Sequence, residues 1–348
     1  MKISIAMATY NGAKYVKEQL LSIAAQTLLP YELVVCDDCS SDETIRIVEE
    51  FASSAPFSVR VYSNEKTLGV TDNFMKAAQL CSGNWIAFSD QDDVWLPHKL
   101  ERMRDVIRSQ KSDLLLVAHS SIVANDALKP TATKNPFFKK NRVKKIRTNF
   151  ALHGIHGFSI LVSERVLGLT SLGGNLPYFS AENGARAHDS WACMLANALG
   201  DVAYISEPLA IWRRNPGAST PDAFLNCSLR ERDSFYFRIK NSLAAVDGEA
   251  YRKTAVSAKL VGLSYIALAE RCPEANVKSS LLIAAKECDI LHRTLILRAH
   301  LYSSKTPLSR LRRILSILLI RGYFGSDYRS LGWMPLFKDL AFASKIFH

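Results

Sequence analysis

Three short apolar runs near the start of the chain each stop on polar or acidic residues, and each is separated from the next by helical spacing. "KISIAMA" ends at "TYNG", and in the following "YVKEQLLSIAAQ" the residues Val16, Leu20 and Ile23 fall on one helical face. "YELVVCDD" leads into "SSDETIRIVEEF", with Ser41 or Asp42 placed to cap a helix whose first turn is acidic. "FSVRVYSN" alternates as a third strand, "TDNFMKAAQL" is a helix, and "NWIAFSD" is a fourth strand closing on "DQDD". Alternation of this kind predicts an α/β fold with a parallel, doubly wound sheet, whose ligands bind beyond the carboxyl ends of the strands. The endings "TYN", "DD" and "DQDD" then converge on one edge.

Further along, "DLLLVAHSSIVAND" reads as a strand pair, and a basic stretch holding Lys134, Lys139, Lys140, Arg142, Lys144, Lys145 and Arg147 with no acid reads as a loop. After "HGIHGFSILVS", the spacing of "HDSWACMLANALG" predicts a helix and "DVAYISEPLAIWRR" a strand. Beyond Pro216–Pro221 the pattern is helical to the end, which places a domain boundary near 216–222. Seven scattered cysteines and a start without an apolar leader point to a reducing cytoplasm. No stretch approaches the ~20 apolar residues of a membrane span.

Two carboxylates one residue apart at a strand end share a face. Asp90 and Asp92 therefore suit Mg²⁺ or Mn²⁺ bridging to a diphosphate, and the alternative is that "DQDD" merely caps the helix starting near "PHKLERM". At the second acidic end, a carboxylate of "VVCDD" can accept from the imide N–H of uracil or thymine while "TYNG" closes over the base. Cys36 and Cys39 form a lone C-x-x-C pair. Its apolar neighbours put Cys36 inside a strand, against a metal or redox role.

Taken together, "ISIAMATYNGAKYVKEQLLSIAAQT", "ELVVCDDCSSDET", "NEKTLGVTDNFMKAAQLCSGNWIAFSDQDDVWLPHKL" and "HDSWACMLANALGDVAYISEPLAIWRR" resemble the family 2 glycosyltransferases of the GT-A fold. The "SDQDD-W-P-KL" form is most similar to bacterial rhamnosyl- and galactosyltransferases of surface-polysaccharide synthesis. The resemblance implies a Rossmann-like, mostly parallel GT-A catalytic domain over 1–215, with 216–348 as a helical region. It implies that Ala8, Tyr10 and Asn11 line the nucleotide, that Asp38, alone or with Asp37, contacts the base, and that Gln91 lies on the donor side. Asp90 and Asp92 become the D-x-D pair, with Asp92 as the direct ligand of Mn²⁺ or Mg²⁺, and Asp189 the general base of an inverting transfer. Arg213 pairs with phosphate. His156 falls in an acceptor-side loop, His188 beside Asp189 is a second acceptor-side candidate, and Trp191 either stacks on a sugar ring or faces the core. Two departures matter: the family's usual glycine is Cys39, and its frequent metal-side histidine is Asn215.

The formal net charge of +11 points to an acidic partner, and more than half of it lies between Lys305 and His348. There Leu308, Leu311, Leu315 and Leu318 share one helical face with Arg310, Arg313 and Arg321 opposite, as in a helix lying on an anionic membrane. The alternative is a helix packed on the protein with solvated arginines. The resulting expectation is a cytoplasmic enzyme, peripheral on the inner membrane. It would move a sugar from dTDP-L-rhamnose or a UDP-hexose to a saccharide or lipid-linked saccharide. A noncatalytic nucleotide-sugar binder is the rival. No nucleic-acid motif accompanies the basic charge, so nucleic acid is not an expected partner.

Overall fold

In a computed structural model the described residues are 1–110, 113–135, 141–144, 155–171, 176, 188–215, 248–324 and 333–344. Contacts divide the chain into two units, one built from Met1–Ile146, Leu152–Ser171 and Ala185–Ser228, the other from Arg147–Ala151, Leu172–Gly184 and Leu229–His348. The expected boundary near 216–222 lies outside the described residues.

The first unit carries one mixed sheet. β1 (Ile3–Thr9), β2 (Glu32–Asp37), β3 (Ser58–Ser63) and β4 (Trp85–Ser89) run parallel in the order β3-β2-β1-β4. β1, β2 and β4 are covered on both faces, which is why they read as unbroken apolar runs, whereas β3 at the edge is half-exposed and alternates. The crossovers are α1 (Val16–Ala24), α2 (Thr44–Ala52) and α3 (Val70–Leu80), and α1 buries Val16, Leu20 and Ile23 in the core with Ile5, Leu33 and Val35. Strand order reverses between β1 and β4, the place where such sheets bind ligands.

Past β4 the sheet becomes mixed. β5 (Val94–Trp95) and α4 (Lys99–Ser109) precede β6 (Leu114–Ala124), which is one long strand rather than the expected pair. The polar triplet His119, Ser120 and Ser121 within it is wholly buried. The basic stretch is not simply a loop: β7 (Pro130–Asn135) pairs with β6, and β8 (Arg142–Lys144) pairs with the later strand β10 (Asp201–Arg213). Lys139, Lys140, Lys145 and Arg147 lie outside the described residues. β9 (Ile160–Ser163) joins β4 to β6 antiparallel, and α5 (Glu164–Ser171) and α6 (His188–Leu199) precede β10. β10 runs parallel to β6 and antiparallel to β5, so the end of "DQDD" meets the end of "IWRR".

The second unit has α7 (Gly248–Arg271), α8 (Ala275–Ser303), α9 (Pro307–Leu319) and α10 (Trp333–Ser344). Asp339 of α10, wholly buried, accepts both Nε (2.9 Å) and a terminal nitrogen (2.8 Å) of Arg298 on α8, together with the hydroxyls of Tyr302 and Tyr323. The stretch "SLRERDSFYFRIKNSLAAV", read as helix, lies outside the described residues.

Candidate active site

A cleft of about 540 Å³ opens at the carboxyl ends of β1, β2 and β4, within the first unit. From β1 and its loop come Ala8, Thr9 and Tyr10; from β2, Asp38; from the turn before α3, Gly69; from β4, Asp90, Gln91 and Asp92. His156, Gly157, His188, Asp189, Trp212, Arg213 and Arg214 also line it. Most sequence candidates thus meet in one place, though not in one way.

Asp38 is nearly buried, and its oxygens accept from Asn64 Nδ2 (2.8 Å), Leu68 N (2.7 Å) and Gly69 N (2.8 Å). It organises the loop feeding α3 as well as facing the cleft. Asp37 is not among the described lining residues: Thr9 Oγ1 (2.8 Å), Ser40 Oγ (2.6 Å) and Ser40 N (2.8 Å) all donate to it. Asn11 is likewise absent from the lining. Held at φ 45°, it takes Ser40 Oγ on its own N–H (2.8 Å) and Ser41 N on its side-chain oxygen (2.9 Å), so it ties two loops together. Cys39, where the resemblance expects glycine, does adopt φ 66°. That left-handed conformation costs a side chain roughly 1–2 kcal/mol.

Gln91 clasps Tyr10, accepting from its N–H (2.9 Å) and donating to its carbonyl (2.9 Å). A Cβ at position 12 would sit 2.2 Å from Gln91 Oε1, so Gly12 is what permits this approach. The acids beside Gln91 do not cap α4, whose N-cap His98 makes no side-chain capping bond. Burial, followed by the charges of Asp92 and Asp189, pushes Asp90 up to about 7. Burial also raises Asp92, against the hydrogen bond from Asn215 and the charges of Arg213 and Arg214. Asp93 is raised furthest by burial, then by Asp92 and Asp90, and Lys99 and the Arg213 N–H oppose it.

Lys99 is wholly buried, donates to the Phe158 carbonyl (2.6 Å) and lies 3.5 Å from the centroid of the Trp95 ring. Burial lowers its pKa well below the usual lysine range, against the nearby charges of Asp93 and Asp90. Sequence reasoning missed it because a lysine in a helix's first turn looks solvated.

The carboxylates fit a divalent cation. They are hard oxygen donors, short of positive charge, and Asp93 Oδ2 is buried with no hydrogen-bond partner among the described residues. No group of three or more His, Cys, Asp or Glu is arranged to enclose a metal among those residues. Such a cation would therefore need oxygens from a ligand, as Mg²⁺ sites on phosphates do. Asn215, at the position where the resemblance expects histidine, donates its amide to Asp92 Oδ2 at 2.6 Å.

Arg213 lines the cleft, but its guanidinium already donates to the carbonyls of Asp92 (2.7 Å) and Asp126 (2.5 Å) and to Glu18. Asp189 stands in the first turn of α6 facing the cleft and accepts from the Ser190 N–H. His188 is stacked on Phe74 (centroids 4.2 Å apart) and packed edge-on against Phe88 (4.7 Å), and burial lowers its pKa although Asp189 works the other way. His156 lies against Trp212 (4.3 Å). Trp191 is wholly buried, because α6 is covered on most of its faces, and is therefore a core residue rather than a sugar platform. Gly69, Thr71 and Val70, which put the start of α3 in the cleft, were also unforeseen. The glycine before "VTDNF" was the available signal, and it holds φ 84°.

The family model described as Glycosyl transferase family 2 matches residues 4–167. The chain is 32% identical over 142 residues to the Escherichia coli UDP-Glc:alpha-D-GlcNAc-diphosphoundecaprenol beta-1,3-glucosyltransferase WfgD, covering 39% of this chain and 55% of that one. It is 38% identical over 105 residues to the Shigella flexneri dTDP-rhamnosyl transferase RfbG, covering 29% and 36%. These alignments span between about a third and about a half of the relatives' length. Among solved structures, S. aureus TarS 1-349 in complex with UDP-GlcNAc superposes with a TM-score of 0.51 at 17% identity, over 99% of this chain and 92% of that one, a likeness of fold alone. The sheet has the GT-A arrangement, and residues 4–167, which hold all three acidic or polar strand ends, match the family 2 glycosyltransferase model.

Proposed function

We propose that the protein is an inverting glycosyltransferase that moves a hexosyl group from a nucleotide diphosphate sugar to a saccharide hydroxyl. The observation that carries this reading is the shared cleft of Asp189, Asp90 and Asp92. A proton acceptor and a diphosphate-neutralising pair then stand in one space. Asp92, with Asp90 beside it and Asn215 fixing its orientation, would hold Mg²⁺ or Mn²⁺, which when bound neutralises charge on the departing diphosphate.

The chain's own part is to position and to move one proton. Ala8, Tyr10 and Asp38 receive the nucleoside end, with Gln91 holding Tyr10 in place. Asp189 takes the proton from the attacking hydroxyl as the new C–O bond forms and the anomeric C–O bond to the diphosphate breaks on the opposite face. His156 and Trp212, their ring centroids 4.3 Å apart, offer the acceptor an aromatic wall.

The donor is dTDP-L-rhamnose or a UDP-hexose, supported by what the names of RfbG and WfgD state. The acceptor is a lipid-linked saccharide of a bacterial surface polysaccharide, met at the cytoplasmic face of the inner membrane. Among the described residues no helix is long and apolar enough to cross a membrane.

The test is calorimetric titration with UDP, dTDP and GDP, with and without Mn²⁺, followed by transfer assays on Asp189→Ala. The expected result is metal-dependent binding of one pyrimidine diphosphate, kept in the variant while turnover falls by at least a thousandfold. Full turnover in Asp189→Ala would remove the base assignment, and absence of any nucleotide binding would remove the enzyme.

A further inference from the structure

Helix α9 turns its leucines outward. Leu308, Leu311, Leu315, Leu318 and Leu319 are 62%, 45%, 51%, 38% and 84% exposed, while the residues it buries are Arg310, Ile314 and Ile317. Arg310 is not a solvated arginine: it donates to the carbonyls of Ser304 (3.0 Å) and Phe342 (3.3 Å) and lies 4.5 Å from the Phe342 ring. The helix is thus anchored by its other side, and its larger apolar face has no cover among the described residues.

The charges around that face are of one sign. Between Lys305 and Phe324 there are five Lys or Arg and no acid. At 3.6 residues per turn, Arg312 lies about 70° from the centre of the leucine face, where its chain can reach past the leucines. Lys305 and Arg321, both exposed, flank the helix at its two ends. A second copy offering the same face would set cation against cation. An anionic lipid surface matches both the apolar face and the cations beside it. With 13 residues the helix is ~20 Å long, too short to span and the right kind of element to lie in the interface.

We propose that the leucine face of α9 is the membrane-docking surface of this protein, seated in the headgroup region of anionic phospholipid with Arg312, Lys305 and Arg321 on phosphates. The proposal deepens, and in its biological sense rests on, the reading of an acceptor carried by a lipid. Its test is independent of sugar transfer.

The full chain is sedimented with phosphatidylglycerol–phosphatidylcholine vesicles without donor, and with pure phosphatidylcholine. Binding to the anionic vesicles that weakens with salt is expected. Leu311→Glu with Leu315→Glu should lower the partition constant at least tenfold, with helical circular dichroism and nucleoside diphosphate binding unchanged. Should that variant fold poorly, Lys305→Gln with Arg312→Gln serves instead, at about fivefold per charge removed on anionic vesicles only. No binding by the wild type, or equal binding by the variants, overturns the proposal. So does self-association that the leucine variant abolishes in a chain indifferent to vesicles. Vesicle binding by a chain that transfers no sugar leaves the surface standing and removes the enzymatic reading.

Discussion

Asn215→Ala tests how this chain manages a metal site without the histidine its family often has. The Asn215 amide meets Asp92 Oδ2 at 2.6 Å, and Asp92 is a carboxylate that burial raises and this hydrogen bond lowers. A hydrogen bond to an ionised group contributes about 1.5–3 kcal/mol. Loss of a partner that orients a metal-ligating carboxylate typically weakens metal affinity by about 10–100-fold. Both routes act in one direction: the freed carboxylate is less well aimed and easier to protonate. Mn²⁺ titration followed by electron paramagnetic resonance of the free ion, with UDP or dTDP present, should show that 10–100-fold weakening. Asp92→Ala should abolish metal-dependent binding altogether. Unchanged affinity in Asn215→Ala would show that the amide only tethers the end of β10 to the acidic turn, and the reasoning would fail.

Three further outcomes follow from local geometry. Cys39→Gly relieves the side chain held at φ 66° and should raise stability by about 1 kcal/mol in urea unfolding of the first unit; a loss would mean that the Cys39 contact with the Asn64 carbonyl outweighs the strain. Asp339→Ala leaves the nearly buried Arg298 without its carboxylate and should cost the helical unit about 3–5 kcal/mol, read as faster amide exchange in α8 and α10; a change below about 1 kcal/mol would refute the pin. Burial alone would raise Glu32, but the Ser82 N–H, the hydroxyls of Ser4 and Ser82 and Arg60 outweigh it and hold it below the usual carboxylate range. Its contribution is therefore complete above its unfolded value near 4.5 and is lost as pH falls through the lower folded one, so Glu32→Gln should flatten the acid limb of a stability profile between those values.

The parallel half of the sheet was legible because strands buried on both faces leave an apolar run with a polar end, and "KISIAMATYN", "ELVVCDD" and "WIAFSDQDD" are such runs. Legibility failed where burial and polarity parted. His119, Ser120 and Ser121 are polar yet wholly buried, so a single strand looked like two; Lys99 is basic yet wholly buried, so a core residue looked like surface. Spacing could place Asp90, Asp92 and Asp189 at element ends, but it could not say which of their neighbours were occupied. Asp37 and Asp38 are adjacent acids at one strand end. The first is spent on Ser40 and Thr9, the second on the loop before α3, and only the second faces the cleft.

What unites the site is a pairing that no motif announces. Two residues of β5, Val94 and Trp95, lie antiparallel to Ile211 and Ala210 of β10. That short ladder carries the acidic turn to the end of β10, where the Arg213 N–H donates to Asp93 (3.0 Å), its guanidinium to the Asp92 carbonyl, and Asn215 to the Asp92 carboxylate. Arg213 is therefore spent mainly on the turn and on Glu18, while Arg214, whose guanidinium lies 4.8 Å from the Trp212 ring centroid, also lines the cleft. The consequence is a division of labour open to separate measurement. Arg214→Ala should weaken nucleoside diphosphate binding while leaving stability near that of the wild type. Arg213→Ala should lower the unfolding midpoint first, because it breaks the clamp that holds the carboxylates in register. If both variants lost only nucleotide affinity, with equal midpoints, the clamp would have no energetic weight and the two arginines would have to be read as one phosphate-binding pair.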